Sequence, residues 1–315
     1  MKIFINLPTW LGDCVMASVA IYALKEHFKD AYFFFYGSLV STELFKNFEN
    51  SSVFVENKEE RFFQILKNRK NFEKFDYALS FRSAFSSKIV LGLIKAKQKF
   101  YFNKNEVKNK HQVLKYLNFI EKSFGFKAST QNLQLPISPR TSKARILGLN
   151  PGAHYGSAKR WEPIYFAAVA KEFANTHKIV IFGVGREKEF CDEIEQILQK
   201  ENIRVKNLCD KTDISTLCKI ISMCDLFITN DSGPMHIAAV YGIKTIAIFG
   251  PTRFTQTSPW NNANAKIVRL DLPCSPCMQR ICPLEHHQCM KDLKPELVIK
   301  EAKILLEKAE TSNQA

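Results

Sequence analysis

The chain reads as an α/β protein of two domains, each a parallel sheet wound with helices. Three observations predict this. Short apolar, partly β-branched runs recur, each closed by a polar turn and followed by a helical pattern, which is the rhythm of βαβ units. The length, 315 residues, is too great for one small core and suits two domains of about 150 each. A polar stretch over 125–143, with Pro136, Pro139 and several Ser and Thr, reads as the linker between them. The first domain is therefore placed at 1–143 and the second at 144–315.

In the first domain, residues 2–7 form a strand whose exit, Pro8-Thr-Trp-Leu-Gly-Asp-Cys, turns into a helix running to about His27. Gly12 gives the turn backbone freedom. Asp13 stands near the helix start, where the dipole favours a carboxylate. Strands follow at 31–36 and 52–55, with a short helix at 42–48 between them. Residues 67–74 read as a charged surface helix or loop. A strand at 77–80 exits into Phe81-Arg-Ser-Ala-Phe-Ser-Ser-Lys. Arg82 in that exit offers a planar fork for a carboxylate, or equally a salt-bridge partner. Residues 95–110 interleave lysines with Phe100, Tyr101 and Phe102. They read either as membrane-surface contact or as an aromatic strand between solvated lysines. A helix covers 111–124.

The second domain opens with a strand at 144–150 and a Gly-bearing loop, Pro151-Gly-Ala-His-Tyr-Gly-Ser-Ala-Lys-Arg-Trp, before a helix from Pro163. A glycine loop, two cations and a helix start suit phosphate. The strand 178–182 ends in Gly183-Val-Gly, which lacks the third glycine of the dinucleotide fingerprint; its helix runs to Lys200. Residues 208–215 lead into the next helix. The strand 226–229 is buried by its composition. Asn230, Asp231, Ser232 and Gly233 break it, Pro234 suits a first helical turn, and 235–241 is the helix, with His236 in its first turn. Gly242 fits the position after the helix end, and 245–249 is the following strand. Asp231 or Ser232 would cap the helix in an ordinary protein. The free N–H groups of such a terminus equally seat a phosphate. A last amphipathic helix covers 295–308, with Val298, Ala302, Leu305 and Leu306 on one side.

Composition narrows the class. A hydrophobic fraction of 46% marks a globular chain, and no window supplies the roughly 18 apolar residues of a membrane span. The first residues lack the layout of a signal peptide, so a cytoplasmic location is expected. A net charge of +14 points to an anionic partner. No nucleic-acid motif is present. The basic density between Lys58 and Lys115 is read as a face toward anionic lipid, against the alternative of a merely solvated surface.

The run Asn-Asp-Ser-Gly-Pro-Met-His at 230–236, followed by Ala-Ala, Gly and Phe-Gly-Pro-Thr, resembles the donor-binding motif of the ADP-heptose:lipopolysaccharide heptosyltransferases. The 151–161 loop resembles the same family, and within it the branch adding the second heptose. This resemblance implies the GT-B architecture, two Rossmann-like domains facing across a cleft, with acceptor binding in 1–143 and ADP-heptose binding in 144–315. The final helix, 295–308, would pack back on the first domain. The resemblance implies inverting transfer of heptose to the first heptose of the lipopolysaccharide inner core, at the cytoplasmic face of an anionic inner membrane. Asp13 would be the general base. Lys159, Ser232, Gly233 and His236 would serve the donor diphosphate, Glu187 the ribose, and residues near Thr212 the adenine. Asp231 would orient the loop or ribose-phosphate region, because two anions repel. Arg82, Ser83 and Lys88 would meet the acidic acceptor. A first heptosyltransferase acting on Kdo, or a nucleotide-binding module without turnover, stand as the alternatives.

Nine cysteines are an odd count and do not suggest a secreted disulfide framework. Cys274, Cys277, Cys282 and Cys289 lie beside His286 and His287. That spacing fits either zinc or a reduced, packed loop. The family carries a similar stretch without needing metal for transfer, so no metal and no cofactor are assigned.

Overall fold

The computed structural model describes residues 1–68, 72 and 74–312, with side chains as far as Lys308. The chain divides into two units, Met1–Ser138 and Pro139–Ala315. The charged stretch 67–74 lies in part outside the described residues.

In the first unit the order is β1 (Lys2–Asn6), α1 (Leu11–His27), β2 (Tyr32–Gly37), α2 (Leu39–Phe45), β3 (Ser51–Val55), α3 (Arg61–Lys67), β4 (Phe75–Ser80), α4 (Phe85–Leu93), β5 (Ala96–Tyr101) and α5 (Gln112–Phe124). The strands form one sheet in the order β3-β2-β1-β4-β5, every pair parallel. One face is packed with rings: Phe4, Tyr36, Phe72 and Phe75 are buried together, with Phe34 and Phe54 against them. Such aromatic pairs add energy beyond their area. Helix α2 starts three residues earlier than its composition suggests, because the Ser38 hydroxyl caps it by accepting from the Ser41 N–H at 3.3 Å. Gly125, at φ +72°, ends α5 with its N–H on the Glu121 carbonyl at 2.8 Å. The aromatic–lysine segment supplies β5, the edge strand beside β4.

The second unit runs β6 (Ile146–Asn150), α6 (Pro163–Phe173), β7 (Lys178–Ile181), α7 (Lys188–Lys200), β8 (Val205–Asn207), α8 (Ile214–Ile221), β9 (Leu226–Asn230), α9 (Gly233–Val240), β10 (Lys244–Ile248), α10 (Phe254–Thr257), β11 (Ala265–Val268), α11 (Gln288–Lys291) and α12 (Pro295–Ser312). Its parallel sheet has the order β11-β10-β9-β6-β7-β8. β6 and β9, central in the sheet, are buried at every residue, as strands covered on both faces must be. Helix α12 packs on α6, β10 and β11 of its own unit. Gly242, at φ +64°, follows α9 as its sequence position suggests.

Each sheet reverses its winding once, between β1 and β4 in the first unit and between β6 and β9 in the second. In open α/β sheets ligands bind outside the carboxyl ends of the strands at such a reversal. The turns and first helical residues that follow those four strands carry Asp13, Arg82, Lys159 and Asp231–Gly233.

Candidate active site

In the second unit the two loops at the reversal are braced by the asparagines that end their strands. Asn150 Nδ2 donates to Thr229 Oγ1 at 3.1 Å and to Ser232 Oγ at 2.8 Å. Asn230 Nδ2 donates to the Pro151 carbonyl at 2.7 Å, and its Oδ1 accepts from the Trp161 N–H at 3.3 Å. Ser232 is the residue before α9, but its hydroxyl is held by Asn150 and makes no cap bond. The first turn of α9 therefore lacks a side-chain cap, and Pro234 has no N–H to satisfy. That arrangement presents backbone donors to an anion. His236 is buried one turn along.

Lys159 enters the same place from the other loop. Its Nζ lies 2.6 Å from Asp231 Oδ2 and 3.3 Å from the Asp231 carbonyl, and 4.8 Å from the Tyr155 ring centre. Thr252 Oγ1 donates to the same Asp231 oxygen at 2.6 Å. Asp231 is buried, so its charge needs these partners. An ammonium has three N–H bonds; with two directed at Asp231, one is left for a ligand oxygen.

Glu187 is buried against the 151–161 loop and accepts from the Val184 N–H at 3.0 Å. Burial pushes its carboxyl above the ordinary range, opposed by that N–H and by the charges of Arg160 and His154. Gly152 leaves room for this side chain, since a Cβ there would sit 2.0 Å from the Glu187 carboxyl carbon and would displace the carboxylate. Thr212 is half-buried just before Asp213, whose carboxylate caps α8 by accepting from the Thr216 N–H at 2.6 Å.

The cysteine segment supports the loop from behind. Ala158 N–H donates to the Arg280 carbonyl at 3.0 Å, Tyr155 Oη to the Met278 carbonyl at 2.8 Å, and His287 Nε2 lies 2.9 Å from the Ala158 carbonyl. Cys274, Cys277, Cys282 and Cys289 are free thiols that line one small cavity with His286 and His287. Burial, then the neighbouring thiols, push Cys289 up to about 11. Among the described residues no group of three or more His, Cys, Asp or Glu is arranged to hold a metal ion.

In the first unit Asp13 is the third residue of α1, half-buried. The buried Tyr116 of α5 lies near it. Burial and the Asp13 charge hold that phenol well above its ordinary pKa, so it stays a donor. The loop before α1 is gripped by its neighbours. Ser41 Oγ donates to the Pro8 carbonyl, Ser38 Oγ to the Thr9 carbonyl at 3.1 Å, and Arg82 Nε to the Leu7 carbonyl. Arg82 Nη1 also forks onto Glu56 at 2.8 and 3.1 Å, and Arg61 pairs with the same carboxylate. Arg82 is thus bound into the protein, with its side chain only 8% exposed. Ser83 and Lys88 are exposed on the turn and on α4. Tyr116, Asn150, Asn230 and Thr252 carry no role in the sequence reading. Asn230 and Thr252 did have a signal, as the first residue of the Asn-Asp-Ser-Gly-Pro-Met-His run and the last of the Phe-Gly-Pro-Thr run.

Residues 71–288 match glycosyltransferase family 9 (heptosyltransferase). The chain is 61% identical over 314 residues to lipooligosaccharide heptosyltransferase 2 of Campylobacter jejuni serotype O:2, covering 97% of this chain and 98% of that protein. The solved structure of Escherichia coli ADP-heptose LPS heptosyltransferase II aligns with a TM-score of 0.80 at 22% identity, over 98% of this chain and 100% of that one. The E. coli heptosyltransferase WaaC with ADP aligns with a TM-score of 0.77 at 13% identity, over 97% and 100%. The fold is therefore the α/β GT-B fold of these solved structures, two Rossmann-like units.

Proposed function

The chain belongs to glycosyltransferase family 9, the heptosyltransferases, and on that premise we propose that it moves L-glycero-D-manno-heptose from ADP-heptose to the first heptose of a lipooligosaccharide or lipopolysaccharide inner core. The observation that carries this reading is the 61% identity to a heptosyltransferase 2, because it spans both units. The cross-braced loops of the second unit suit the ADP diphosphate. Asp13 takes the proton of the acceptor hydroxyl as that oxygen attacks the anomeric carbon from the face opposite ADP. The C–O bond to ADP breaks and the configuration inverts. Lys159 and the uncapped first turn of α9, from Ser232 and Gly233, offset the charge growing on the leaving diphosphate. Asp231 holds the lysine rather than touching phosphate. Glu187 faces the ribose, Thr212 borders the adenine, His236 backs the diphosphate loop, and Ser83 and Lys88 meet the acceptor beside the turn that Arg82 anchors.

Incubation with ADP-heptose and either Kdo₂-lipid A or its mono-heptosylated form, read by mass spectrometry, tests the assignment. Product is expected from the heptosylated acceptor alone. Product from the Kdo-terminated acceptor alone would make the chain a first heptosyltransferase. Product from neither, with ADP still bound, would leave a nucleotide-binding module.

Tyr116 acts in this scheme as a positioning residue for Asp13. Tyr116→Phe removes a buried hydroxyl near Asp13, whose dipole favours the carboxylate form. The acid limb of the kcat/KM–pH profile is expected to move to higher pH. A rate loss with an unmoved acid limb would assign Tyr116 to packing alone.

The acceptor is lipid-linked, so the enzyme works at the cytoplasmic face of the inner membrane, an anionic surface. Among the described residues no helix is long and apolar enough to cross a membrane; the basic density between Lys58 and Lys115 is what supports a peripheral attachment.

A further inference from the structure

Two short helices of the first unit turn apolar faces outward. On α4 the buried residues are Ser87, Val90 and Leu91. The exposed arc is Phe85, Lys88, Ile89, Gly92 and Leu93. Phe85, Ile89 and Leu93 are spaced by four and share one stripe, and Phe85 is 76% exposed. On α3, Phe63 is 75% exposed and Leu66 and Lys67 stand out beside it. The helices pack on each other, and Arg61 Nη1 donates to Ser86 Oγ at 3.0 Å between them. At the end of α4 an open depression of about 640 Å³ is lined by Lys74, Lys95 and Lys99 with Gly92, Leu93, Ile94 and Ala96. Among the described residues no carboxylate lines it.

A helix pair that buries a serine and exposes two phenylalanines is inverted for a face meant to meet water. We infer that the α3–α4 face docks on an anionic phospholipid bilayer. Phe63, Phe85, Ile89 and Leu93 enter the acyl boundary, and Lys67, Lys74 and Lys95 meet headgroup phosphates. Charge complementarity selects this occupant. The lysines around the stripe match an anionic leaflet, where each basic residue adds attraction and apolar side chains supply depth. The inference builds on the lipid-linked acceptor proposed above, but its test uses no sugar transfer.

Flotation of the full chain with vesicles of phosphatidylglycerol and phosphatidylethanolamine, compared with phosphatidylcholine vesicles, gives the readout. The chain is expected to float with the anionic vesicles and to be released by high salt. Phe63→Ser with Leu93→Ser should lower partitioning at least about tenfold, since two apolar side chains no longer enter the bilayer. Lys95→Glu should lower it several-fold. Both variants should keep transfer to a deacylated, soluble acceptor, which separates docking from folding and catalysis. Failure of the unmodified chain to float overturns the inference, as does equal binding to neutral vesicles. So does undiminished flotation of the double variant. Should that variant unfold, undiminished flotation of Lys95→Glu overturns it instead. Flotation without any heptose transfer would sustain the docking face and remove the functional reading.

Discussion

Asp13→Asn is expected to lower kcat by about 10²–10⁴-fold, the contribution of a positioned general base, with ADP affinity unchanged. The substitution is nearly isosteric and leaves the packing beside the buried Tyr116 in place. The fold around it is therefore kept, while the group can no longer take a proton. Asp13 stands in the first unit, and every residue proposed for ADP stands in the second. The competing role is purely electrostatic. A carboxylate in the first turn of α1 steadies the helix by about 0.3–1 kcal/mol. That role predicts a small fall in melting temperature and normal turnover. Single-turnover transfer, with calorimetric titration of ADP and a thermal melt, distinguishes the two. Near-normal turnover would take Asp13 out of the chemistry.

What could be read from the residues alone was whatever is encoded within a few positions of itself. Residues 225–251 announce strand, turn, helix and strand because apolar runs, turn formers, Pro234 and Gly242 each act locally. The structure has β9, α9 and β10 there. The glycine-bearing loop before Lys159 is legible for the same reason. Partners brought from a distance are not. Glu56 lies 26 residues before Arg82, and nothing around either residue marks the other. Thr252 reaches Asp231 across 21 positions, and Asn150 reaches Ser232 across 82. Short elements also escaped. β8 is three residues with a lysine at its centre, too brief for alternation to register. α3 has apolar residues outside as well as inside, so it lacks the one-sided pattern that identifies a surface helix. The physical reason is the same in both cases, since tertiary packing rather than local preference decides these segments.

Lys159→Ala is expected to lower kcat/KM for transfer by about 10²–10³-fold, the scale for removing one preorganised donor from a developing negative charge, and to weaken ADP binding. The same change leaves the buried Asp231 carboxylate with Thr252 Oγ1 at 2.6 Å and no cation. Breaking one side of a buried ion pair costs about 3–5 kcal/mol, so the single variant should also melt at lower temperature. These two losses have different remedies. Asp231→Asn removes the stranded charge, and the double variant Lys159→Ala with Asp231→Asn should regain much of the lost stability. It should regain none of the lost rate, because the cation that meets the leaving diphosphate is still missing. Lys159→Arg tests the geometry from the other side. The planar guanidinium keeps the charge but cannot reproduce a compact ammonium that shares its protons between Asp231 and a phosphate. Its stability should stay close to that of the unmodified chain while its rate falls. Stability restored without rate in the double variant assigns the lysine to the leaving group. Recovery of both would reduce Lys159 to the structural partner of Asp231, and the diphosphate would then rest on the first turn of α9 alone.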